Sequence, residues 1–84
     1  MIEAGAWRRD GIRLVRELGF RDFDEAFAFV ERVAARAVDY GRRPDLCILD
    51  HNRVRLMIAN QHGGPLTLAE HRLAEKVDGV IADA

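Results

Sequence analysis

The chain predicts an α+β fold of two layers: a four-stranded antiparallel sheet covered on one face by two helices, in the order ββαββα. Three observations lead there. Two segments step through apolar residues every third or fourth position, two others alternate apolar and polar residues, and turn signals separate them. Four strands with one apolar face need a cover, and two amphipathic helices supply it. With 84 residues the chain is expected to form a single domain over 1–84, because so short a chain buries only about 60% of its unfolded surface and cannot divide into two cores.

Each element has its own signal. Asp10-Gly11 marks a two-residue hairpin after Ala6-Trp7-Arg8-Arg9, of a type that calls for positive φ. Beyond it Ile12, Leu14, Leu18 and Phe20 fall on one side of a strand and Arg13, Val15 and Glu17 on the other, with Arg16 the exception on the apolar side. Asp22 reads as the N-cap of the first helix, with Glu25 placed to complete a capping box. Phe23, Ala26, Phe27, Val30, Val33, Ala34 and Ala37 form its apolar stripe, and Gly41 and Pro44 end it. Phe23 and Phe27 are therefore expected in the core, whereas Phe29 lies off the stripe, where an oligomer contact would use it. Leu46-Cys47-Ile48-Leu49, the turn Asp50-His51-Asn52 and the alternation Val54, Leu56, Ile58 suggest a second hairpin. After Gly63-Gly64-Pro65, the pair Thr67 and Glu70 repeats the capping-box spacing, and Leu73, Ala74, Val77, Val80 and Ile81 face one way along the second helix. Gly79 inside that stripe weakens its last turn by about 1 kcal/mol relative to alanine.

Hydrophobic residues make up 49% of the chain and charged residues 32%, a soluble globular composition rather than a disordered one. No apolar run approaches the roughly 20 residues that cross a bilayer. The opening Met1-Ile2-Glu3-Ala4-Gly5-Ala6 lacks the basic flank and apolar stretch of a signal peptide, so a cytoplasmic location is expected. Cys47 is the single cysteine, which excludes an internal disulfide and a thiolate zinc cage; among Leu46, Ile48 and Leu49 a packed thiol is favoured over a reactive one. Three histidines without close ligand spacing give no metal site. The net charge of −1 conceals an uneven distribution. Arg8, Arg9, Arg13, Arg16, Arg42, Arg43, Arg53 and Arg55 belong to strands, turns and the central loop, while the acids crowd the helices and their ends. Arginine forks suit an acidic protein partner; arginines paired with nearby acids on a solvated surface are the alternative. Nucleic acid is disfavoured, since the chain is not basic overall and carries no reading motif.

From Trp7 to about Asp83 the chain resembles the pterin-4a-carbinolamine dehydratase family. The resemblance rests on Phe20-Arg21-Asp22-Phe23-Asp24-Glu25-Ala26-Phe27-Ala28-Phe29-Val30, Val33-Ala34, Arg43-Pro44-Asp45, Asn52-Arg53-Val54, Gly63-Gly64 with Leu66-Thr67, and Leu73-Ala74 with Val77-Asp78. It implies a four-stranded antiparallel sheet under helices, dimers that continue the sheet and tetramers that pack helices. It also implies loss of water from a 4a-hydroxytetrahydropterin without metal or bound cofactor, a histidine proton assisting departure of the hydroxyl. Active members place two histidines in a His-His-Pro element and a third after the second hairpin, with an aromatic residue often beginning the last strand. Here Arg42-Arg43-Pro44 stands for the element, Gln61 for the third histidine and His51 for the aromatic residue. The six residues before Trp7 are not expected to form the N-terminal helix common in the family.

Arginine keeps its proton and glutamine has none to give, so ordinary dehydration is not expected. His62, next to Gln61, is either a substitute donor or an exposed loop histidine, and His51 either a donor near the pocket or a turn residue. His71 is expected on the polar side of its helix. Trp7 either caps the core or anchors an interface. The resemblance then implies a non-catalytic scaffold: a homodimer or tetramer joined through a sheet edge, with Arg42, Arg43, Arg53 and Arg55 meeting an acidic protein. The family's transcription-factor dimerisation cofactor, and its Rubisco assembly factors of alpha-carboxysome bacteria, are such cases. A pterin-4a-carbinolamine dehydratase rebuilt around His62 and His51 is the alternative.

Overall fold

The computed structural model describes residues 3–4, 6–42 and 44–83. Its elements are β1 (Glu3–Ala4), β2 (Arg8–Asp10), β3 (Arg13–Gly19), α1 (Phe23–Tyr40), β4 (Asp45–Leu49), β5 (Arg53–Ala59) and α2 (Leu68–Ala82). All pairings are antiparallel: β1 and β2 both lie along β3, β3 pairs with β5, and β5 with β4. The sheet is thus four strands wide under two helices, the α+β architecture the sequence predicts. The order differs from ββαββα by one short piece, because the first edge strand is broken in two.

Register explains the break. Ala4 pairs with Leu18 and Arg8 with Val15, so four steps along the edge match three along β3. One extra residue in an edge strand is a bulge, a device that re-aims side chains. Trp7 lies at this point, packs against the buried core, and its indole N–H donates to Asp78 Oδ1 at 2.7 Å. Trp7 therefore caps the core. The following hairpin turns at Gly11-Ile12 between paired Asp10 and Arg13, one residue later than expected, with φ +63 at Gly11. Ile12 is consequently exposed in the turn and does not join the strand's apolar side.

Leu14, Leu18, Val54, Leu56 and Ile58 turn one sheet face toward the helices, where Phe29, Val33, Leu73, Val77 and Val80 meet them. Arg16 shares that face and is accommodated by an ion pair: its Nη1 lies 2.7 Å from Asp78 Oδ1, and its guanidinium carbon 6.0 Å from the centre of the Trp7 ring.

The caps are where the sequence puts them. Asp22 accepts from the Glu25 N–H at 2.9 Å, Glu25 reaches back to the Arg21 N–H at 3.0 Å, and left-handed Gly41 closes α1. The phenylalanines are a correction. Phe29 is 1% exposed and packs on Phe20 at a ring separation of 5.1 Å, whereas Phe23 and Phe27 are each 47% exposed and stack on one another at 5.9 Å. Ala26, Phe29, Val33 and Ala37 form the buried face of α1, and Ala34 faces outward. Among the described residues no helix is long and apolar enough to cross a membrane.

Candidate functional site

Because β4 and β5 are antiparallel, the segment entering β4 and the loop leaving β5 lie at the same end of the sheet. Arg42 comes from the first. Its position follows from the end of α1, where the Gly41 N–H donates to Ala37 O at 2.9 Å and the Arg42 N–H to the same oxygen at 3.2 Å. The guanidinium then reaches the first turn of α2, with Nη2 2.6 Å from Glu70 Oε2. Glu70 Oε1 accepts from the Thr67 N–H at 2.5 Å and the Thr67 hydroxyl at 2.7 Å. The Glu70 side chain is fully buried and that of Arg42 only 20% exposed. Thr67's side-chain and backbone hydrogen bonds, assisted by Arg42 and opposed by burial, hold the Glu70 carboxyl down to about 2. A carboxylate in the first turn of a helix also faces the positive end of the helix dipole.

The loop from β5 to α2 carries Gln61 and His62, both exposed. Asn60 organises it: Oδ1 accepts from the His62 N–H at 3.0 Å, the side-chain amide donates to Pro65 O at 3.1 Å, and the backbone carbonyl accepts from Gly63 at 2.9 Å. Gly63 and Gly64 take φ +80 and +87, which glycine alone adopts freely. Gln61 Nε2 lies 3.3 Å from His62 Nε2, so an imidazole stands beside Gln61 at this end of the sheet. Asn60 escaped the sequence reading; an asparagine opening a Gly-Gly-Pro turn was the available signal.

His51 is elsewhere. It occupies the β4–β5 turn with φ +58, next to Asp50 at φ +51, and the four steps of β4 put that turn about 14 Å from the Arg42 end. His71, exposed in the first turn of α2, makes no part of this arrangement. Arg43 lies outside the described residues. The structure thus brings Arg42, Gln61 and His62 to one end of the sheet and leaves His51 at the other. Neither an arginine guanidinium nor a glutamine amide is a proton-transfer group. Among the described residues no group of three or more histidine, cysteine, aspartate or glutamate side chains could hold a metal ion.

Arg53 and Arg55 project from the sheet face that the helices leave uncovered. Arg55 stands opposite Glu17 across β3 and β5, its Nε 2.7 Å from Glu17 Oε2, and Arg53 Nη2 lies 3.5 Å from Glu17 Oε1. The Glu17 carboxyl is held below its usual range, chiefly by the Arg55 hydrogen bond.

The profile of the pterin 4 alpha carbinolamine dehydratase family matches residues 2–80. A provisionally named pterin-4-alpha-carbinolamine dehydratase of Thermomicrobium roseum is 40% identical over 75 residues, 89% of this chain and 80% of that protein. One of the same designation from Acidobacterium capsulatum is 36% identical, covering 90% and 82%. Two solved structures share the fold at 23% identity. One is described as a transcriptional coactivator/pterin dehydratase from Brucella melitensis, with a TM-score of 0.77 over 92% of this chain and 83% of that one. The other is described as a pterin dehydratase-like protein identified as a RuBisCO assembly factor in the alpha-carboxysome, with a TM-score of 0.75 over 90% and 89%.

Proposed function

Since the chain belongs to the pterin 4 alpha carbinolamine dehydratase family yet carries Arg42 and Gln61 where active members carry proton-transferring histidines, we propose that it is a cytoplasmic, non-catalytic scaffold of a single domain acting through protein–protein contact. One observation carries this reading: the Arg42 guanidinium is tied to buried Glu70. A group so held stabilises the fold and cannot shuttle a proton at neutral pH. Arg53 and Arg55 on the open sheet face, together with Arg43, which lies outside the described residues, are then the candidates for a partner, and an acidic protein surface is their complement. Assembly of Rubisco is a role that this proposal adopts from the structural neighbour so described.

The scaffold is proposed to dimerise through a sheet edge. β4 supports this: it is an outer strand, Asp45–Leu49, with no internal proline, glycine or lysine to block pairing. A helix-packed tetramer would use the exposed Phe23–Phe27 stack. Sedimentation at micromolar concentration is expected to give a dimer or larger species; a monomer would overturn the assembly.

A second reading, dehydration of 4a-hydroxytetrahydropterin, draws on the His62 imidazole beside Gln61 and on the designation of the relatives. Rapid-mixing kinetics of that reaction separate the two. The native protein is expected to match buffer, and an Arg42→His, Arg43→His, Gln61→His variant to accelerate the reaction. Acceleration of about a hundredfold or more by the native protein, the range that positioned acid–base groups supply, would overturn the scaffold reading and make His62 the first residue to replace.

A further inference from the structure

The sheet face turned away from the helices carries an arrangement that a merely solvated surface does not need. Three arginines converge on one carboxylate. Glu17 is bonded by Arg55, lies within ion-pair distance of Arg53, and is further stabilised by the positive field of Arg8, exposed on β2. The cluster therefore holds three guanidinium charges against one carboxylate in a chain whose net charge is −1. Arg55 meets Glu17 through Nε, and its two outer nitrogens bond to nothing among the described residues.

The floor beneath is apolar. Val15 and Met57 pair across β3 and β5 in the same face. Val15 is only 2% exposed although no helix covers it, and the Arg13 Nη1 lies 3.9 Å from Met57 Sδ. The Arg13 fork thus lies against the floor at Met57, with its other outer nitrogen 3.9 Å from Asp10 Oδ2. Four arginines of this face, Arg8, Arg13, Arg53 and Arg55, stand against Asp10, Glu17 and Asp45, and this one-charge excess beside an apolar floor, with the outer nitrogens of Arg55 unengaged, complements an acidic segment carrying some apolar side chains.

We propose that this face is a docking site for an acidic protein segment, and that Glu17 is an internal competitor, held at Arg55 Nε and beside Arg53 Nη2, until the segment's carboxylates replace it. The proposal rests on the interaction reading above and names its surface and its partner's chemistry. Glu17 lowers the attraction of the free face, so that only a segment with several carboxylates displaces it. Nucleic acid is the less suitable ligand, because aromatic side chains for base stacking are missing from the described residues of this face.

The test is fluorescence anisotropy with a rhodamine-labelled octaglutamate peptide at low salt, using native protein and the Glu17→Gln, Arg53→Ala and Arg55→Ala variants, each checked for native circular dichroism. Removing one opposing surface charge is expected to tighten peptide binding about fivefold in Glu17→Gln, and each arginine truncation to loosen it by a similar factor. Binding that none of the three substitutions alters would overturn the site while leaving an acidic-partner reading on other arginines. Absence of binding by both native and Glu17→Gln protein would overturn both. A single-stranded oligonucleotide bound more tightly than the peptide would overturn the proposal in favour of nucleic acid. The scaffold reading itself fails separately, on the dehydration kinetics.

Discussion

The two faces of the sheet use the same pair of side chains for different ends. On the helix side, Arg42 meets a fully buried Glu70, and Arg16 meets an Asp78 that keeps nearly half of its side chain in solvent beside Trp7. On the open side, Arg55 and Arg53 meet Glu17 with more than a third of each guanidinium side chain in solvent. Burial separates the Arg42–Glu70 pair from the open ones. A charge pair sealed from water fails badly when one partner is removed, since the other is left uncompensated, whereas an exposed pair is worth little in either state. The Arg42–Glu70 pair therefore belongs to the fold, and the open ones are available for exchange with another molecule.

The largest expected effect sharpens that contrast with an uncharged side chain. Phe29→Ala should destabilise by about 3–5 kcal/mol, as deletion of a buried aromatic does, and Phe27→Ala by less than about 1 kcal/mol. Urea denaturation checks both. Equal losses would mean that the exposed Phe23–Phe27 stack is buried in an assembly, and the contrast between covered and open surfaces would then have to include the outer side of α1.

Arg42→Ala comes next. It leaves Glu70 buried with only Thr67 as partner, and the melting temperature is expected to fall by about 10 °C for a domain of this size. An unchanged melting temperature would free Arg42 for partner binding and break the comparison at its centre.

The same pair predicts an acid limb. Glu70 is lowered from 4.5 to about 2, so its stabilising contribution is fully present above pH ~4.5 and is lost as pH falls toward about 2. Glu70→Gln is expected to be less stable than native protein at pH 7 and to flatten the fall in stability between those limits. Thermal melts from pH 7 to pH 2 read this directly; parallel curves for the two proteins would show that Glu70 does not couple protons to folding.

Much of the fold was legible because its signals are local. Asp22 with Glu25, Thr67 with Glu70, and Gly41 mark helix ends through contacts three or four residues long, and β5 alternates Val54, Leu56 and Ile58 without exception. The buried face of α1 was not legible for a physical reason. Phe23, Phe27, Val30 and Ala34 recur at helical spacing as regularly as Ala26, Phe29, Val33 and Ala37, and only the angle at which α1 meets the sheet selects the second set. The bulge that aims Trp7 depends on a register difference between two strands, which alternation does not encode. At the candidate site, the sequence marked Arg42, Gln61 and His62 by position but could not reveal that Arg42 finds Glu70, 28 residues away. The opposite placement of His51, by contrast, follows from the hairpin that the sequence predicts, whose turn lies at the far end from the segments flanking its two strands.

The smallest expected effect is the most discriminating for the open face. Arg55→Ala should change the melting temperature by less than about 2 °C, because an exposed pair gives up little Coulomb energy and regains side-chain freedom. Adding 1 M salt, which shortens the screening length to about 3 Å, should erase even that difference. A Glu17–Arg55 pair built only for stability would show a larger loss that persists in salt. A near-silent pair is instead what a docking face requires: the arginines must leave Glu17 for another carboxylate at little cost to the fold, and a strong internal bond would oppose that exchange.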